Sequence, residues 1–161
     1  MARVFLNPQD SFALNNAATV YGGASAETLI LNAGTAGVTV DQNVERLELP
    51  GAVSSYSFQQ TGNLLRVYQG SVLIVTVSVQ DDGDGTLLVF SNGAAAAKIS
   101  AASMQLGGAS VPAAAASPVT PQALDSNTVS TANQGQSAGK KFVLTGAVEA
   151  LTLTSGNDTI I

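Results

Sequence analysis

The chain has 161 residues with no cysteine, histidine or tryptophan, and a formal net charge of −5. Without His or Cys the common nucleophile–base pairs are missing, and six scattered basic residues cannot track a phosphate backbone, which argues against nucleic acid as a partner. No run approaches the roughly 20 apolar residues that a membrane-spanning helix needs.

The opening residues, Met1 to Pro8, hold no apolar run long enough for a cleaved secretory signal. Short β-type runs then follow at 28–32, 38–40, 44–49, 56–59, 64–68, 71–79 and 86–90, and return at 141–145 and 150–154. Alternation of apolar and polar residues is clearest in Leu65-Arg66-Val67-Tyr68 and Val75-Thr76-Val77-Ser78-Val79. Turn signals at Pro50-Gly51, Thr61-Gly62-Asn63, 81–85 and Ser91-Asn92-Gly93 separate the runs, and Gln69-Gly70 predicts a tight hairpin. The alanine runs at 94–97 and 113–116 are the only helix-like stretches, too short to be stable alone.

Composition changes after Val111. Residues 112–139 carry Pro112, Pro118 and Pro121 among Ser, Ala, Thr and Gln, with few large apolar groups. Such a segment reads as a linker or extended arm. The expected organisation is a β domain over 1–111, the linker over 112–139, and a C-terminal β segment over 140–161. The fold class is all-β: a short-stranded sandwich, or a solenoid-like winding.

Asp81, Asp82 and Asp84 share a glycine-bearing loop and could offer alternating oxygens to calcium; the plainer reading is an acidic turn kept soluble by charge. Glu45 and Glu48 lie three apart in one run, so a regular strand sends them to opposite sides. A carboxylate pair for glycoside hydrolysis has no support from spacing, and most acids read as solvated strand and turn positions. Tyr56 and Phe58 share a strand face, with Tyr68 nearby; exposed rings there would make a platform for a cell-surface polysaccharide, and buried ones a core.

Two stretches have matching form. Gly22-Gly23-Ala24-Ser25-Ala26-Glu27-Thr28-Leu29-Ile30 and Ser155-Gly156-Asn157-Asp158-Thr159-Ile160-Ile161 follow, with defects, the Gly-Gly-x-Gly-x-Asp-x-apolar-x pattern of parallel β-rolls. Together with the run from Thr39 to Gly51, with Leu87 to Gly93 and with Phe142 to Thr145, they make the chain resemble a module of bacterial repeats-in-toxin-related surface proteins, S-layer and adhesin-like chains among them. The resemblance implies type I export read from the C-terminus, a secreted or cell-surface location, and calcium held by the acid of each pattern. Asp158 fits that acid position, whereas Glu27 replaces the aspartate and Ser25 a glycine. No uninterrupted tandem array of the pattern is present.

The expected function is a non-enzymatic structural protein that polymerises with itself through β-edges into a filament, surface layer or matrix. The C-terminal segment would donate a strand through Val143, Leu144, Leu151 and Leu153, with the run from Val4 to Leu6 as an alternative donor. The alternative function is a calcium- or carbohydrate-binding adhesin module.

Overall fold

The computed structural model describes residues 1–23, 26–81, 83–132, 141–142 and 159–160. Its first strands alternate between two sheets: β1 (Ala2–Phe5), β3 (Ala18–Tyr21) and β5 (Val38–Val40) in one, and β2 (Ser11–Leu14), β4 (Thr28–Leu31) and β6 (Arg46–Glu48) in the other. Within each sheet these strands are parallel neighbours, so every pair of strands is one coil laid on the last. Ala2 pairs with Ala18, Ser11 with Thr28, and Thr28 with Arg46: steps of 16, 17 and 18 residues.

The winding is interrupted and then resumed. After a 3₁₀ turn (Val53–Ser55), β7 (Ser57–Thr61) and β8 (Leu64–Gln69) form a hairpin, and β8 turns again into β9 (Val72–Ser78). β9 then pairs parallel with β5, and β10 (Thr86–Phe90) parallel with β6, completing a fourth coil. β11 (Gly93–Ser100), β12 (Ser103–Leu106) and β13 (Ala109–Ser110) extend the second sheet as an antiparallel meander. The fold is therefore all-β, two mixed sheets wound as a solenoid at one end and as antiparallel sheets at the other. Among the described residues there is no α-helix, and so no helix long and apolar enough to cross a membrane.

Both sheets face one core. Leu29, Leu47 and Leu88 are aligned neighbours on three strands of the second sheet, and all three are fully buried. Each such side chain contributes about 1.5–3 kcal/mol by leaving water. Val40 and Val77 form the matching row opposite, with Leu65 beside Val77. Coil-to-coil repetition of one apolar type at one register is what makes so aromatic-poor a core close-packed.

Two expectations change. Ala94, Ala95 and Ala97 sit in β11 as buried strand residues, not in a helical turn. Their small size decides this: a Cβ at neighbouring Gly93 would meet the Leu124 side chain at 2.7 Å, so only small residues let the later chain pass this close. That later chain is the second change. Over residues 112–132 the supposed linker is a strap bonded to both sheets. Gln60 N–H donates to Pro112 O, Phe58 and Ser117 exchange both backbone bonds, and Ala94 and Asp125 do the same; Ser130 N–H donates to Phe90 O. A segment poor in apolar groups is ordered here because sheet edges supply backbone partners that its side chains cannot. Residues 133–139 lie outside the described part.

Candidate assembly surface

The strap makes the two ends of the sheets unlike. β7 would be an open edge of the first sheet, but residues 112–117 pair along it. The corresponding edge of the second sheet ends in β13, only two residues long. At the other end β1 and β2 each have a partner on one side only among the described residues. Leu6 N–H donates to Tyr21 O, so by alternation the amides of Arg3 and Phe5 point away from β3. Asp10 O and Leu14 O accept from Thr28 and Asn32, which likewise turns the amides of Ser11 and Ala13 outward from β4.

The same end carries the two most exposed large apolar groups among the described residues. Met1 is 83% and Phe5 71% exposed, and the Phe5 ring stacks on Tyr21 of the next coil at a centroid distance of 5.0 Å. The stack shows how a further rung would continue the row. β14 (Lys141–Phe142) and β15 (Thr159–Ile160) pair parallel, Lys141 beside Thr159, a step of 18 residues. That step equals the one between Thr28 and Arg46.

The sequence-predicted residues fall as follows. Asp81 and Asp84 are exposed on the β9–β10 turn, where Lys98 Nζ donates to Gly83 O at 2.6 Å. No group of three or more acids fit to hold a metal occurs among the described residues. Asp82, Asp158, Val143, Leu144, Leu151 and Leu153 lie outside the described residues. Tyr56 and Phe58 are buried, 2% and 0% exposed, and both pack on Phe90. They are core, which removes the aromatic sugar platform.

Two acids read as solvated are buried instead. Glu48 lies under the strap, paired with Arg46 at 2.7 Å and bonded to Thr131. Glu27 is fully buried, and neither of its carboxylate oxygens has a hydrogen-bond partner. The Gly22-Gly23 pair before it is needed for close approach, since neither residue has positive φ. A Cβ at Gly22 would meet the Asn43 backbone at 2.5 Å, and one at Gly23 would meet Glu27 Oε1 at 2.9 Å and Leu6 O at 3.3 Å. Asp41 Oδ1 fixes the turn by accepting from Gly22 N–H.

The signal for Glu27 was present in the spacing. Ser11, Thr28 and Arg46 are aligned neighbours, so the preceding Asp10, Glu27 and Glu45 occupy one position on three consecutive coils. A shallow groove of 520 Å³ runs between β11–β12 and the strap, floored by Ala94, Ala95 and Ala96 with Lys98 and Asp125 at its rim. Comparison with protein-family models, with curated proteins and with solved structures found nothing that matches this chain.

Proposed function

We propose that the protein is a non-enzymatic structural subunit that assembles with copies of itself through its sheet edges, outside the cell or on its surface. The observation that carries this reading is the asymmetry of the ends: β1 and β2 are open side by side, whereas the strap and the short β13 cover the opposite edges. One added coil can bond to both open strands at once, and its natural source is the 141–161 segment of a neighbouring copy, whose 18-residue step matches. A contact between two different surfaces of one chain propagates head to tail and gives an open polymer. The low charged fraction, 11%, favours it by weakening repulsion between stacked copies. Secretion rests on the resemblance to repeats-in-toxin-related surface proteins alone.

Negative-stain microscopy and light scattering test the reading. The full chain should form polymers, and removal of residues 140–161 should leave a folded monomer. Arg3→Pro and Ala13→Pro remove outward amides, which an edge strand tolerates, and should also abolish polymers. A full chain that stays monomeric, or polymers indifferent to both changes, would overturn it.

A further inference from the structure

We infer that the outer face of the first sheet binds an extended polysaccharide with widely spaced carboxylates, gripped by Arg3 and Arg66. The inference is independent of assembly and rests on a row of side chains that crosses the sheet. Arg3 pairs with Thr19, Thr19 with Thr39, Thr39 with Thr76, and Thr76 with Arg66. Each of these five has a core residue next to it on its own strand. Val20, Val40, Val77 and Val67 are fully buried, and Val4 packs against the core. Alternation therefore sends the whole row to the outside of the sheet. Neighbouring strands lie about 4.8 Å apart, so the strands of Arg3 and Arg66 stand four spacings, roughly 19 Å, from each other.

Charge selects the partner. The chain has eleven acids, yet none falls in the six strands of this sheet. Among the described residues the only salt bridge joins Arg46 to Glu48, so Arg3 and Arg66 have no acid beside them. Asp41, directly after β5, accepts from the backbone N–H groups of Gly22 and Asn43. An acidic protein thus keeps one sheet face that is positive towards both sides, with hydroxyls between. A guanidinium takes a carboxylate through two parallel N–H···O bonds. Threonine hydroxyls both donate to and accept from the hydroxyls of a sugar.

The distance between the cations argues against a denser polyanion. A nucleic-acid strand carries a charge about every 3.4 Å, so about five phosphates would face two arginines on a chain of net charge −5. A glycan with a carboxylate on every second sugar brings fewer charges over that length, and more hydroxyls for Thr39 and Thr76. Phe5 adds an apolar plane. It lies two residues on from Arg3 on the same face, 71% exposed, with its ring stacked on Tyr21. The C–H face of a pyranose removes such a ring from water.

Fluorescein-labelled hyaluronan fragments, with one carboxylate per disaccharide, test the face when titrated with the full chain and followed by anisotropy. Wild type should bind at low salt, and binding should weaken as salt is raised. Arg3→Gln and Arg66→Gln should each weaken it about three- to fivefold, the effect of an exposed ion pair, and the double change about tenfold or more. Thr39→Val should weaken it as well, whereas Lys98→Gln, on the other sheet, should bind like wild type. All these surface variants should unfold with wild type, and Arg3→Gln should still polymerise because the residue 3 amide is kept. Hyaluronan with its carboxyls amidated should not bind, and an oligo-thymidylate of equal length should bind more weakly than hyaluronan. A double variant that binds like wild type would overturn the site, as would amidated hyaluronan or oligo-thymidylate binding at least as tightly as hyaluronan. So would a wild type that does not bind hyaluronan; polymers lost in the double variant would then give the face to a second copy.

Discussion

Thr131 grips Glu48 across 83 positions of sequence, its backbone N–H and its hydroxyl both donating to Glu48 Oε2 at 2.6 Å. The other oxygen, Oε1, accepts from Arg46 Nε at 2.9 Å and Nη2 at 2.7 Å. A buried carboxylate with both oxygens engaged fastens the end of the strap to the middle of the second sheet. Where Glu27 has no hydrogen-bond partner, Glu48 accepts five, the longest from the Ser130 hydroxyl at 3.5 Å.

Loss of this clasp should be measurable. Burial pushes the Glu48 carboxyl upward, but the Thr131 hydroxyl and amide and the Arg46 guanidinium outweigh it and hold the pKa below its ordinary 4.5. A depressed folded pKa gives stability that is fully present above the unfolded value and lost as pH falls through the folded one. Glu48→Gln should cost about 1.5–3 kcal/mol at neutral pH, the range for hydrogen bonds to a charged group. In unfolding titrations run from neutral pH down through 4.5, the gap between wild type and variant should close.

Gly107 marks the strap's tightest crossing. Its φ is +53°, and a Cβ there would meet Ala123 O at 2.5 Å and Pro121 Cβ at 2.7 Å. Its carbonyl accepts from both Gln122 and Ala123. Gly107→Ala should destabilise by clearly more than about 1 kcal/mol, the usual strain at positive φ, and raise hydrogen exchange at 121–125. Gly62→Ala is the control: its φ is +61° and nothing lies within 4 Å, so only the backbone strain should appear.

Truncation separates a strap from a linker. A chain ending at residue 111 loses the partners of Phe58, Gln60, Ala94 and Phe90 and uncovers Glu48. It should unfold at a markedly lower temperature than a chain ending at 139, with exposed apolar surface detectable by dye binding. Equal stability of the two chains would show that the strap adds nothing.

Much of the winding could be read from residues, and the reasons for the rest are physical. Periods near two in 64–68 and 71–79 and the Gln69-Gly70 turn gave the β8–β9 hairpin, which the structure has. β2 and β3 were missed, and β1 was read only as an alternative donor strand, because a four-residue strand such as Ser11–Leu14 carries too few alternations to stand out. β11 was missed because alanine favours helices in isolation, whereas packing under the strap decides here. The strap was missed because its order comes from backbone bonds to strands far away in sequence, 59 positions between Phe58 and Ser117, and local composition does not encode those. Glu27 was visible as a defect in a repeat, but its burial depends on the neighbouring coil.

Tyr56 supplies a test at the opposite end of the pH scale. Its ring is 2% exposed against Phe90, and its hydroxyl accepts from Gly51 N–H at 2.9 Å, closing the turn that carries the chain from the second sheet back to the first. Burial raises its pKa above the ordinary 10.0, with the Gly51 amide pulling the other way. A raised folded pKa gives stability that is fully present below the unfolded value and lost as pH rises through the folded one. Tyr56→Phe keeps the ring contacts and removes one hydrogen bond, so it should cost about 0.5–1.5 kcal/mol at neutral pH. Above pH 10.0 the wild-type unfolding midpoint should fall faster than that of Tyr56→Phe, because only wild type must ionise a phenol inside the core. Tyr21 and Tyr68 are common to both proteins, so the difference between the two curves belongs to Tyr56 alone, and parallel curves would place its hydroxyl in water.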